Sequence, residues 1–250
     1  MCMKIAVKSD PGRVRTHNED CLLVDEPLGL LIVADGMGGR AAGEVASAVA
    51  VEAIAAYMRA HLTGPAPAEQ TAALLQAAIR TADEAIWTKA REQRQWRGMG
   101  TTVVLALCRE TQISLAHVGD SRAYLLHQGA LRQLTEDHAV VAEWLRAGQL
   151  TPRQARRHPL RHQITRYLGR GNALAELHCV PWEGGDMLLL CSDGLTTMVT
   201  DHHIAALMRQ GGTDVQAICE ALVRRANAKG GEDNISVILA YRDESESEPM

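Results

Sequence analysis

The sequence predicts an α+β fold, a four-layer αββα sandwich in which two antiparallel β-sheets are flanked by antiparallel helix pairs. Three observations lead there. Apolar runs of strand length follow one another across short turns, as antiparallel neighbours do. Segments of helical spacing come in blocks rather than in strict alternation with strands, which disfavours a doubly wound parallel sheet. The 250 residues are 46% hydrophobic, enough to fill a core on both sides of each sheet. Aromatics are only 3% and Phe is absent, so Leu, Ala, Val and Ile must build that core.

In chain order, residues 3–9 read as a strand, and Ser9-Asp10-Pro11-Gly12 turns the chain. Strands at Cys21–Asp25 and Leu28–Ala34 are close enough to form a hairpin. From Gly43 to Leu62, Val45, Val49, Ile54, Tyr57, Met58 and Leu62 recur at helical spacing among alanines. Gly64-Pro65-Ala66-Pro67 breaks that helix, and a second covers residues 68–93. Their short connection predicts an antiparallel pair. A meander follows: Thr102–Cys108, Gln112–Val118, Ala123–His127 and Ala130–Leu134. Residues 138–170 read as broken helix, with Arg153, Arg156, Arg157, Arg161, Arg166 and Arg170 scattered along them. The last third predicts a strand at Asp186–Cys191, helices near 201–210 and 214–228, and a strand at 235–241. No repeat and no interdomain linker interrupts the pattern. Residues 1–241 are therefore expected to form one domain, and the acidic stretch 242–250 a disordered tail.

Net charge is −4 with Lys and Arg spread along the chain, which gives no electrostatic reason to expect nucleic acid. The six cysteines form no C-x-x-C pair, and most lie in apolar or helix-periodic stretches, as reduced thiols in a cytoplasmic protein would. No apolar run is long enough to span a bilayer, and the N-terminus lacks a signal peptide's apolar stretch. Nothing demands a dimer, so a monomer is expected.

The chemistry is carried by acids at the ends of apolar runs. Ala34-Asp35-Gly36-Met37-Gly38-Gly39, His117-Val118-Gly119-Asp120 and Leu190-Cys191-Ser192-Asp193-Gly194 each close one; Asn18-Glu19-Asp20 and Gly231-Glu232-Asp233-Asn234 each precede one. Asp is poor in strands, and an unpaired buried charge is costly. A single Asp-Gly is read as readily as a turn cap. Five such acids together point to carboxylates converging on hard cations, Mn²⁺ or Mg²⁺, with a glycine carbonyl able to approach an ion.

These segments, in this order, resemble those of the metal-dependent protein phosphatases, the type 2C serine/threonine phosphatases, in their compact bacterial form. The resemblance runs from Ser9-Asp10-Pro11-Gly12 to Asp233-Asn234-Ile235-Ser236, nearly the whole chain. It implies a metal site in a cleft at one edge of the sheets. It also implies hydrolysis of phosphoserine and phosphothreonine by water activated at two metals, without a phosphoenzyme. By that resemblance Asp35 bridges the metals, the Gly36 carbonyl binds the first, and Asp193 and Asp233 bind the second. Asp20 holds water in the outer shell, and Asp120 with Asp193 can bind a third, weaker ion. Arg15 grips the substrate phosphate, as a planar guanidinium suits. Arg15, Asp35 and Asp193 make up the catalytic set. Residues 135–170, from Thr135-Glu136-Asp137-His138 through the basic segment, resemble the flap over the bacterial active site.

Two features set limits. Met37 stands where many eukaryotic members carry a histidine, and it cannot donate a proton to a leaving alkoxide. His158 and His162 have ligand spacing, but Pro159 interrupts the helix and no third ligand is placed, so zinc there is rejected. His17, His117 and the pair His202-His203 are read as packing, local hydrogen bonding or surface. The sequence thus predicts a metal-dependent phosphatase of phosphorylated proteins, opposing a serine/threonine kinase, with the kinase and its substrates as partners. A catalytically inactive, phosphatase-like binding protein is the alternative, and missing metal carboxylates would be its mark; none is missing. A phosphatase aimed at an anti-sigma-factor antagonist would be expected to carry an added sensor domain, for which the chain has no room.

Overall fold

The structure, a computed structural model, describes residues 3–38, 42–64, 66–155 and 157–243. Gly39, Arg156 and residues 244–250 of the acidic tail lie outside them. The first third of the chain gives β1 (Met3–Asp10), β2 (Asp20–Asp25), β3 (Leu30–Met37) and the helices α1 (Ala42–His61) and α2 (Ala68–Glu92). The short β4 (Gly100–Thr101) leads into β5 (Val103–Cys108), β6 (Gln112–Val118), β7 (Arg122–His127) and β8 (Ala130–Gln133). The remainder holds α3 (Val140–Arg146), α4 (Pro152–Ala155), β9 (Glu176–Pro181), β10 (Met187–Cys191), α5 (Asp193–Thr196), α6 (Asp201–Gln210), α7 (Val215–Ala228) and β11 (Ile235–Arg242).

These strands form two antiparallel sheets, ordered β1-β11-β10-β7-β8 and β2-β3-β5-β6-β9, with β4 paired to β3. Leu31, Val33, Val104, Ala106, Leu115, Leu188, Leu190 and Ile238 fill the space between the sheets. The alternate residues Leu30, Ile32, Val103 and Leu105 face α1 and α2. On the far side Leu189, Val237 and Leu239 pack on α6 and α7. Strands with both faces covered read as continuous apolar runs. That is why β5 and β11 show no polar alternation. The expected αββα layering is present.

Among the described residues, 138–170 form the expected broken helix: α3 and α4 are its helical pieces, and Gly148, Pro159 and Gly169 interrupt the periodicity. The departure from expectation is β9, which was not anticipated. Its half-buried positions are Glu176, His178 and Val180 while Leu177 is exposed, so its polarity runs opposite to that of an ordinary strand.

The segment between β8 and β9 is tied down at its roots. Ala139 bridges Ile164, and Thr101 bridges Leu168. The carboxylate of Asp83, 1% exposed on α2, accepts hydrogen bonds from the backbone N–H groups of Gly169, Arg170 and Ala173 at 2.6, 3.0 and 2.7 Å.

Candidate metal centre

Antiparallel pairing decides where the acids go. The end of β3 lies beside the start of β2, and Asp35 stands directly opposite Asp20. β6 runs parallel to β3 through the intervening β5, so Asp120 emerges at the same edge. In the facing sheet the end of β10 meets the start of β11, which delivers Asp193 and Asp233 there too. All five are half-buried along one cleft.

Hydrogen bonds lock this edge across the two sheets. Ser192 Oγ donates to Asp20 Oδ2 at 2.9 Å and accepts from Ser236 N at 3.0 Å. Asn234 accepts from Glu19 N at 2.8 Å and donates to the carbonyls of Pro11 and His17 at 3.0 and 2.9 Å. Asp35 N donates to Thr102 Oγ1 at 3.2 Å, and Thr102 shares a 2.7 Å hydroxyl bond with Ser121. Gly36 admits no side chain, since a Cβ there would overlap the Gly43 carbonyl at the start of α1.

The cleft is electrostatically unfavourable as a set of bare acids. Burial, then the neighbouring Asp20, Asp193, Asp120 and Asp233, push the Asp35 carboxyl well above the usual range. Burial chiefly raises Asp20 to about 7, with Asp193 and Asp233 adding to it against hydrogen bonds from Ser236 and Ser192. Asp120 is raised by burial and by Asp193 and Asp137. Only cations in the cleft would favour the ionised forms together. Asp20 Oδ1 is moreover buried without a hydrogen-bond partner among the described residues. Clustered carboxylate oxygens are the donor set of Mg²⁺ or Mn²⁺, and the residues fit such ions.

Arg15 lies at the rim. Its Nη2 donates to Asp233 Oδ2 at 2.9 Å, so the guanidinium engages one of the acids. Opposite it, the flap-like segment reaches down: His162 Nδ1 is 4.0 Å from Asp193 Oδ2, and Arg161 is 3.8 Å from Glu232. Asp193 holds its short helix by accepting from Thr197 N at 2.9 Å through its backbone carbonyl. Met37 pairs with Gly100 at the end of β3. His158 and His162 diverge: His158 Nδ1 accepts from Leu160 N and its ring abuts Trp144, while His162 turns to Asp193. His203 bonds Thr200 Oγ1 locally, and His117 bonds the Glu136 carbonyl.

Sequence reasoning counted the acids and missed their holders, Ser192 and Asn234, although both sit inside the quoted motifs. It also passed over Arg122, whose Nε and Nη2 grip Asp137 at 2.8 and 2.6 Å. Adjacency of Ser and Asn to the acids was the available signal.

Residues 13–240 match the family profile described as protein phosphatase 2C. The serine/threonine phosphatase stp of Listeria monocytogenes is 40% identical over 245 residues, 96% of each chain. The crystal structure of the Mycobacterium tuberculosis serine/threonine phosphatase PstP/Ppp superposes with TM-score 0.87 at 37% identity, covering 96% of this chain and 99% of that one. The catalytic domain of PstP in complex with two manganese ions gives 0.85 at 36% identity, covering 96% and 97%.

Proposed function

The chain belongs to the protein phosphatase 2C family, and from that membership we propose how its own residues divide the work. The protein is a metal-dependent serine/threonine phosphatase, and phosphorylated proteins are its substrates. Asp35, the Gly36 carbonyl, Asp193 and Asp233 would hold two Mn²⁺ or Mg²⁺ ions, Asp20 would act from the outer shell, and Asp120 with Asp193 would take a third. Divalent ions bound there supply Lewis acidity for attack of water on a phosphoryl group. One observation supports this assignment most: five carboxylates from both sheets come together at one edge, and three of them, Asp20, Asp35 and Asp120, are pushed toward their neutral forms there.

The rest of the chain positions and excludes. Ser192 holds Asp20, and Asn234 N donates to Asp233 Oδ1 at 2.9 Å, so these two acids are positioned before substrate binds. Arg15 is free to exchange Asp233 for two phosphate oxygens, because cations would satisfy that carboxylate. Residues 135–170 act as a flap within a catalytic domain spanning 1–241. Arg161 and Arg166 on it present positive charge to phosphopeptides. Met37 offers no proton, so any acid for the leaving alkoxide lies elsewhere.

A cognate serine/threonine kinase and its substrates are the proposed partners, with a monomeric phosphatase working in the cytoplasm. No helix among the described residues is long and apolar enough to cross a membrane. No observation favours the non-catalytic alternative. The test is hydrolysis of a phosphothreonine peptide with and without Mn²⁺, in wild type and Asp193→Asn. Phosphate release that needs metal and collapses in the variant supports the assignment. A folded wild type inactive in both Mn²⁺ and Mg²⁺ overturns it.

A further inference from the structure

Beyond the rim of the cleft, cations gather where the end of α2 meets the flap. β4 ties that region to the acids. Gly100 pairs with Met37 and Thr101 with Gly36, and Thr101 Oγ1 donates to the Asp35 carbonyl at 2.8 Å. The Tyr167 ring lies so close over Gly100 that a side chain there would overlap it. Leu168 and Thr101 exchange backbone hydrogen bonds at 2.8 and 3.1 Å. Asp83 then fastens the backbone at Gly169, Arg170 and Ala173 onto α2, and Gly171 lies against the Trp87 ring. A continuous run of contacts therefore leads from Asp35 through Gly100 and Tyr167 to the end of α2.

The charge on this run has one sign. Residues 87–97 carry four cations, Lys89, Arg91, Arg94 and Arg97, and one acid, Glu92, in a chain whose net charge is −4. The flap adds Arg170. Three of these cations lie over aromatic rings. Arg91 Cζ is 4.4 Å from the centre of the Trp87 ring, Arg170 Cζ 4.7 Å from that of Tyr167, and Lys89 Nζ 5.2 Å from that of Trp96. A guanidinium stacked on a ring is held in place while its fork of N–H groups stays open to a carboxylate. Among the described residues none of the five cations is in an ion pair. Arg59, Arg122, Arg146 and Arg161, by contrast, each face a carboxylate. Arg91, Arg94, Arg97 and Arg170 are exposed, so their field reaches solvent and attracts an anionic partner.

We propose that this cation–aromatic surface docks acidic residues that flank the phosphorylated side chain of the substrate, so that the enzyme prefers phosphoserine and phosphothreonine in acidic segments. The inference rests on the phosphatase reading above and adds to it the kind of sequence that is preferred. The spacing suits it. Arg97 is three residues from Gly100, so their Cα atoms are at most about 11 Å apart, the span of about three residues of extended peptide. Acids about three to six residues from the phosphorylated position would then meet the arginines. The contacts that lead back to Asp35 favour a protein substrate over a nucleic acid, because a peptide held in the cleft leaves it beside Gly100 and Tyr167.

The test compares two phosphothreonine peptides of equal length in Mn²⁺, one with Glu and one with Gln at those flanking positions. Wild type is expected to favour the Glu peptide by roughly tenfold in kcat/KM, through a lower KM, and to lose the preference as salt rises. Arg94→Gln/Arg97→Gln and Arg91→Gln/Arg170→Gln should each cut the preference by about threefold or more, while Arg94→Lys/Arg97→Lys keeps it. Turnover of p-nitrophenyl phosphate, which has no flanking residues, should be the same in all of them. Binding of the dephosphorylated Glu peptide is followed in parallel by fluorescence anisotropy. If that peptide binds through these arginines but nothing is hydrolysed, the docking surface stands and the phosphatase reading falls; if it neither binds nor turns over, both fall. Equal kcat/KM for the two peptides, or a preference that survives both double variants, overturns the docking surface alone. So does a single-stranded oligonucleotide of equal charge that binds more tightly than the peptide and is released by the same substitutions.

Discussion

Ser192 illustrates how much one hydroxyl does here. It is fully buried, donates to Asp20 and accepts from Ser236 N, so it joins β10, β11 and β2 at the point where the acids meet. Ser192→Ala would strand a backbone N–H and deprive Asp20 of one of its two hydroxyl partners. We predict a loss of about 1–3 kcal/mol in urea unfolding, together with weaker Mn²⁺ activation. An unchanged midpoint would mean that the hydroxyl bond carries little. His127 makes a pH-dependent contribution of its own. Its Nδ1 lies 2.7 Å from Asp186 Oδ1, and that bond, then the charge of Asp186, raises the His127 pKa above its ordinary 6.5. A raised folded pKa stabilises fully below the unfolded value and is lost as pH rises through the folded one. The melting-temperature gap between wild type and His127→Asn should therefore be widest below about pH 6 and narrow above neutrality. A gap that widens with pH would contradict the pairing.

At the scale of elements, the flap segment depends on one buried carboxylate. With Asp83→Ala, three backbone N–H groups at residues 169, 170 and 173 lose their acceptor, which we expect to cost about 3 kcal/mol or more. Limited proteolysis should then cut within 157–175 faster than in wild type. Equal cleavage rates would show that the bridges Ala139–Ile164 and Thr101–Leu168 hold the segment alone. The same region marks where the sequence stops being legible. Strands with apolar faces, such as β5 and β11, could be read directly, and the acids at their ends declared the cleft. β9 could not, because Glu176 and His178 occupy its inward positions and imitate a solvent face. Residues 138–170 could be read only as broken helix, since their arginines favour helix while Pro159 and the glycines interrupt it, and the limits of α3 and α4 were not legible. Ser192 and Asn234 lay in plain view, but which backbone groups they reach depends on pairing between segments some 170 to 220 residues apart.

For the molecule as a whole, the cleft trades stability for cation binding. Burial and neighbouring acids disfavour the ionised forms of Asp20, Asp35 and Asp120, and the proposed ions would relieve that by binding the folded chain. Mn²⁺ at a hundred times its dissociation constant should add about 2.7 kcal/mol of stability, seen as a rise in melting temperature. Asp35→Asn should melt higher than wild type in chelator, by on the order of 1 kcal/mol, and gain less from Mn²⁺. A variant that melts lower in chelator would show that Asp35 is not repelled in the bare cleft. β11 adds a constraint in time. It is the last strand in chain order, yet it lies inside its sheet, between β1 and β10. On the ribosome, Asp20, Asp35 and Asp120 can gather once the β9-containing sheet has emerged, but β1 waits for residues 235–242 before it finds a neighbour. A nascent chain therefore carries half a cleft and no activity, and phosphate removal begins only once synthesis has passed the final strand.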